Sequence, residues 1–242
     1  MMVLHEMTSG QVPENFIDDD QPTSLQIQLS HYRQKYNWDC GLSCVLMVLP
    51  RKARLHFLDN FDKICKEEGF NKSTWTIDLC YLLRRYNVDL VYHTVTIGVH
   101  PAHANSSFYN KILTKDETRV NKRFENAEMY GVRIKKGSLS INYVLRQLMQ
   151  GPAIVLTNAQ LIYCDRCKFN KIKTELRKCI PFTPSYQGHY IVLCGYDVKL
   201  GRVYYRNPSF NDHVCIMPIL NLQESWKSFG TDEDIIFINN VK

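Results

Sequence analysis

The sequence predicts an α+β fold in which a helical first half faces an antiparallel sheet across a cleft. Three observations carry this. Apolar residues recur at helical spacing as far as Gly151-Pro152, and short β-branched and aromatic runs between turn residues follow. Helices first and strands later is the order of an α+β chain, whereas a parallel sheet would alternate the two. At 242 residues the chain is long enough to bury a core without disulfide or metal staples, so a single domain over residues 30–242 is expected.

Residues 1–29 are polar, carry Pro13, Pro22 and the run Asp18-Asp19-Asp20, and show no sustained apolar period, which reads as a flexible tail. From Asp39 the pattern changes. Leu42, Val45, Leu46 and Leu49 fall at i, i+3, i+4 and i+7, the stripe of a helix that must stop before Pro50 and that has Cys40 in its first turn. A second helix is marked by Thr76 as its N-cap and by Leu79, Leu82 and Leu83; the strand VDLVYHTVTI follows it. Val120, Phe124 and Ala127 share one face of a third helix, with Gly131 as its C-terminal cap. Ser140 caps a fourth, which turns Ile141, Val144, Leu145 and Leu148 inward and ends at Gly151-Pro152. The expected strands are AIVLT (153–157), HYIVLCGY (189–196), RVYYRN (202–207) and IIFIN (235–239).

A composition of 45% hydrophobic and 22% charged residues is that of a folded globular chain. The formal charge of +6 comes from 30 basic residues scattered among 24 acidic ones. No basic patch or nucleic-acid motif accompanies it, so no nucleic-acid partner is expected. The N-terminal segment lacks the basic start and apolar run of a secretory signal, and no stretch approaches the length of a membrane span. Nine cysteines, an odd number in a chain this long, do not form a disulfide framework, and a reducing cytoplasmic or nuclear setting is expected.

The chemistry is expected at Cys40. A thiol attacks as thiolate, and a helix N-terminus or a histidine lowers its pKa. The N–H groups of that first turn can also donate to an oxyanion, and Gly41 would admit substrate close to the backbone. Among eight histidines, His189 stands at the mouth of a strongly predicted strand. Asn207 ends the next strand before Pro208, where its amide could orient the imidazole. The interval from Cys40 to His189 falls within the roughly 130–150 residues typical of papain-like enzymes. Gln34, in the loop entering the helix, is a further oxyanion donor. The candidate catalytic set is therefore Cys40, His189, Asn207 and Gln34, while Cys44, one turn further in, reads as core.

Q-x4-D-C-G over Gln34 to Gly41, GPAIVL, GHYIVLCGYD and a strand ending in RNP resemble the cysteine peptidases that process bacteriocin leaders, a branch of the papain-like fold. From His31 to Asn239, the segments YNWDCGLSC, STWTIDLCYLL, KDETRVNKRF, SYQGHYIVLCGYD, RNPSF and FGTDEDIIFI resemble the eukaryotic guanylyl cyclase domain-containing family, which includes plant soluble guanylyl cyclases. The first resemblance implies a papain-like thiol hydrolase, a peptidase or amidase acting on a peptide or protein substrate. The second implies conversion of GTP to cyclic GMP. A metal-dependent cyclase needs carboxylates that hold cations against the triphosphate, and no such arrangement, nor a phosphate-cradling glycine loop, is visible in the sequence. Asp232-Glu233-Asp234 reads instead as a turn onto the last strand. The thiol hydrolase is the preferred reading; a guanylyl cyclase and a non-enzymatic binding protein on a hydrolase fold are the alternatives.

Cys164-x2-Cys167 has the spacing of a zinc knuckle, and Cys179 and His189 follow it. Binding there would remove His189 as base. The preferred expectation is reduced cysteines with no metal and no cofactor; zinc held through another ligand, leaving His189 free, is the alternative.

Overall fold

One helix is buried on all sides: α1 (Cys40–Val48), none of whose nine residues reaches solvent appreciably. A helix that is apolar all round has no solvent face to orient it and must be enclosed by other elements. In this computed structural model, residues 22–70, 73–99, 110–167 and 186–239 are described, with side chains omitted for residues 110–115.

α1 stops at Leu49, before Pro50, as its pattern requires. Two short helices follow, α2 (Arg51–Asp59) and α3 (Phe61–Glu67), then α4 (Thr76–Arg85), with Trp75 as its N-cap and Thr76 as its first residue. α5 (Asn110–Glu125) runs into further turns that end at Gly131, where φ of 70° and the paired bonds Gly131 N–H to Glu128 O and Val132 N–H to Ala127 O make a Schellman cap. α6 (Ile141–Gln147) is capped by the Ser140 hydroxyl, which accepts from the Tyr143 N–H at 3.2 Å. α7 (Ile219–Trp226) follows Pro218.

The strands are β1 (Ser24–Gln26), β2 (Asp89–Thr94), β3 (Arg133–Lys136), β4 (Ala153–Asn158), β5 (Gly188–Asp197), β6 (Arg202–Arg206), β7 (Cys215–Pro218) and β8 (Ile235–Asn239). They form one sheet in the order β3-β2-β8-β4-β5-β6-β7, with β1 added to β5. Every pairing is antiparallel except β2 with β3. The expected α+β class, with the Cys40 helix on an antiparallel sheet, is what the structure has.

The layering is richer than a helical half facing a sheet half. Alternate residues of the central strands enter two separate cores. Ile154, Leu156, Tyr190, Val192 and Ile236 pack under α1, α4 and α5, whereas Ala153, Val155, Ile191, Leu193, Ile235 and Phe237 pack under α6 and α7. The sheet is thus covered on both faces, which explains why β4 is buried along its whole length.

Two boundaries need correction. The stretch read as a flexible tail to residue 29 is part of the sheet from Ser24 onward. Leu25 pairs with Tyr196, and the Ile27 N–H donates to Cys194 O at 2.7 Å; residues 1–21 lie outside the described residues. The edge of β5 that β4 covers up to Leu193 is taken over by β1 from Gly195 onward. Gly195 makes this possible, because a Cβ there would stand 2.1 Å from Leu25 O. From the mostly helical first half the sheet draws the expected strand β2 and also β1 and β3, which were not expected. Among the described residues no helix is long and apolar enough to cross a membrane.

Candidate active site

Three of the four sequence-predicted site residues converge on the N-terminal end of β5. His189 is the second residue of that strand. Cys40 reaches the same point from α1, since its sulfur accepts the backbone N–H of Tyr190, the residue after His189. Asn207 follows the last residue of β6, and its Oδ1 lies 2.9 Å from His189 Nε2. All three are buried.

The amide orientation of Asn207 is fixed independently of the histidine. The Ser209 backbone N–H points at Asn207 Oδ1 at 3.0 Å, and a backbone N–H can only donate, so that atom is the oxygen. An oxygen accepts, so His189 must carry its proton on Nε2. The neutral ring then keeps its lone pair on Nδ1, the tautomer a general base requires.

Electrostatics set the resting state. Burial pushes the His189 pKa below its ordinary value, with the Asn207 bond opposing the shift, so the ring is neutral at physiological pH. The Cys40 thiol is pushed up to about 11, because burial outweighs the backbone hydrogen bonds from Tyr190 and Gly41, and the Asp39 carboxylate adds to the rise. The sequence expectation of a thiol depressed by the helix terminus is therefore corrected: in this resting geometry desolvation exceeds the helix-end contribution.

Asp39 is buried because its carboxylate organises the loop before α1, accepting the Lys35 and Tyr36 N–H groups at 3.1 and 3.0 Å. Gly41 also has a different role from the one its position suggested. A Cβ there would come within 2.9 Å of the Leu79 side chain and 3.1 Å of the Tyr190 ring, so glycine lets α1 seat against α4 and β5. Gln34 joins the loop that carries Asn207: its oxygen accepts the Ser209 hydroxyl at 2.8 Å, its backbone N–H donates to Pro208 O, and its Nε2 donates to Tyr36 O at 2.7 Å.

A cleft of about 310 Å³ opens at Cys40, lined also by Trp38, Trp75, Thr76, Tyr190 and Tyr186. His189 is not among the residues that line it. The lining also includes two carboxyls that the sequence reading placed in a turn, Asp232 and Asp234. The turn is there, with Asp232 and Glu233 both at positive φ, 50° and 51°. It turns Asp234 inward, where Tyr92 Oη donates to its Oδ1 at 2.8 Å. Burial, together with the Asp232 charge, pushes the Asp234 pKa up to about 8, so it is protonated at neutral pH.

The zinc-knuckle set that the spacing offered beside the preferred reading of reduced cysteines is not the one that assembles. Cys179 lies outside the described residues, and His189 is bound to Asn207. Cys164 and Cys167 instead meet His213 and Cys215, two residues absent from the sequence reading. Only the short His-x-Cys spacing could have signalled them, because the intervening strands bring the two pairs together.

Over residues 29–238 the chain matches the family described as guanylylate cyclase. It is 34% identical over 220 residues to Guanylyl cyclase 1 of Arabidopsis thaliana, covering 90% of this chain and 78% of that protein. Among solved structures it is similar to a C39-like peptidase from Bacillus anthracis, with a TM-score of 0.49 and 13% identity, covering 90% of this chain and 98% of that one.

Proposed function

The chain belongs to the guanylylate cyclase family, and we propose that it works as a papain-like thiol hydrolase cleaving a peptide or amide bond. The observation that carries this reading is the fixed tautomer: Asn207 holds the His189 proton on Nε2 and leaves Nδ1 as the basic nitrogen, one residue from the backbone N–H bound to the Cys40 sulfur.

In the proposed reaction Cys40 Sγ attacks the substrate carbonyl carbon while His189 Nδ1 takes the thiol proton. The oxyanion is held by the Cys40 N–H, which has no partner within the helix, and by the second N–H of the Gln34 amide. Collapse breaks the C–N bond, and the imidazolium returns its proton to the leaving amine. Water, deprotonated by the same nitrogen, then cleaves the thioester and regenerates the thiol.

A panel of activated esters and peptide amides tests this. The expected result is an acyl adduct on the Cys40 peptide by mass spectrometry, absent in Cys40→Ala and strongly slowed in His189→Ala. Adduct or product formation at wild-type rate in Cys40→Ala would refute the nucleophile.

The family description favours a second reading, conversion of GTP to cyclic GMP. It predicts cyclic GMP formation with magnesium or manganese that survives Cys40→Ala. The cleft geometry supports it less, because Asp234 is held neutral under Tyr92 where a cation-binding site needs ionised carboxylates. No cyclic GMP with either metal would dispose of it.

A further inference from the structure

We infer that Cys164, Cys167, His213 and Cys215 bind a single zinc ion in a closed structural site. The four ligand atoms all lie within 4.8 Å of one another. His213 Nε2 is 3.2 Å from Cys167 Sγ and 3.3 Å from Cys215 Sγ. With bonds of about 2.3 Å to sulfur and about 2.0 Å to nitrogen, a tetrahedral zinc sets its ligands about 3.5–3.8 Å apart, so the separations need change by no more than about 1 Å to close on an ion.

The surroundings are those of a metal site. Cys164 and Cys215 are fully buried, and backbone N–H groups of Arg166 and Ile216 point at the Cys164 sulfur, the bonds that steady a metal-bound thiolate. The Asp165 N–H donates to Ile216 O at 2.8 Å, and the Tyr205 hydroxyl donates to Tyr163 O at 2.7 Å, so the loop bearing the first pair is already fastened to β6 and β7. A disulfide would join two of the three sulfurs but gives no reason for the His213 ring nitrogen to sit against both Cys167 and Cys215. Three thiolates and one imidazole form a soft donor set suited to zinc, and four protein ligands leave no open position, the mark of a structural ion.

The ion would tie the loop after β4 to the β6–β7 connection. That connection also carries Asn207, the Ser209 contact to Gln34 and the Phe210 carbonyl that faces His31 Nε2 at 3.0 Å. The inference stands whether or not Cys40 is a nucleophile, because its test reads metal and not turnover.

The full chain, purified under reductant, should contain one zinc per molecule by elemental analysis. Replacement by cobalt should give the intense visible bands of a tetrahedral ion and a thiolate-to-metal absorption in the near ultraviolet. Cys167→Ser and His213→Ala should lose the metal on a chelating resin. Cys65→Ser, outside the cluster, should retain it, and His213→Cys should retain it with a shifted cobalt spectrum, so that loss of metal is separable from misfolding. A metal-free chain that gives no cobalt spectrum, or full retention of zinc in both ligand variants, would overturn the inference.

Discussion

Asp234→Asn should stabilise the protein in a strongly pH-dependent way. In the folded state the Asp234 carboxyl is buried beside Asp232 and titrates at about 8, against an ordinary value of 3.8. Its pKa is raised, so the folded state holds a proton that the unfolded chain has already released. Stability from this group is complete below 3.8, falls as pH rises, and levels off above about 8. At about 1.4 kcal/mol for each pH unit in that window, the loss is at most about 6 kcal/mol. The Tyr92 hydroxyl can serve the carboxylate as well as the acid, so about half of that is the expected measured value. Asparagine keeps an acceptor for Tyr92 and does not titrate. Urea unfolding of both proteins at about pH 5 and about pH 8 should show the variant's advantage growing by about 2–4 kcal/mol between the two. Asp232→Asn should give a smaller change of the same sign. Parallel stability curves for wild type and Asp234→Asn would refute the buried, protonated carboxyl.

Asn207→Ala removes the acceptor shared by His189 and the Ser209 N–H, and should cost about 1–3 kcal/mol in thermal or chemical unfolding. Asn207→Asp places a carboxylate on Nε2 and should raise the His189 pKa, moving the acid limb of hydrolysis upward from below 6.5; an unmoved limb would exclude His189 as the base. Gly195→Ala forces a Cβ onto Leu25 O, and should cost about 1–3 kcal/mol while making residues 22–29 cleavable in limited proteolysis. Unchanged melting and cleavage would mean that β1 does not depend on this close approach.

Much of the frame was legible because its signals are local. The i, i+3, i+4, i+7 stripe of α1, the Ser140 cap and the β-branched runs of β4, β5, β6 and β8 each follow from a few neighbouring residues. The elements that escaped lack such signals. α2 and α3 bury only Phe57, Ile64 and Cys65, too few to mark a stripe. β3 reads RIKK, and β1 is three residues inside a polar stretch. Both are strands only because a neighbouring edge offers hydrogen bonds. The same limit applies to the site. Cys40, His189 and Asn207 stand next to visible helix and strand ends. Asp234, His213 and Cys215 acquire their surroundings from residues far along the chain. The thiol pKa was misjudged for a related reason, since desolvation depends on everything packed over Cys40 and a helix terminus is a local feature.

The resting protonation state constrains how this site can work. Cys40 is pushed up to about 11 and His189 is pushed down, so the pair rests as thiol and imidazole, not as thiolate and imidazolium. A preformed ion pair would make the sulfur reactive towards any small electrophile. In the proposed hydrolysis by a neutral pair, proton transfer would accompany attack on a bound carbonyl, and the substrate itself would complete the electrostatics by supplying the oxyanion that the helix-terminal N–H groups then stabilise. The same burial that suppresses the free thiolate strengthens those interactions once charge develops. Such a site favours a substrate that fills the aromatic cleft over one that merely reaches the sulfur. The Asp232 carboxylate in the cleft and the neutral Asp234 at its base favour an amide or a cationic group over a triphosphate. On this reasoning the cleft chemistry is better matched to acyl transfer than to the nucleotide cyclisation for which the family is named.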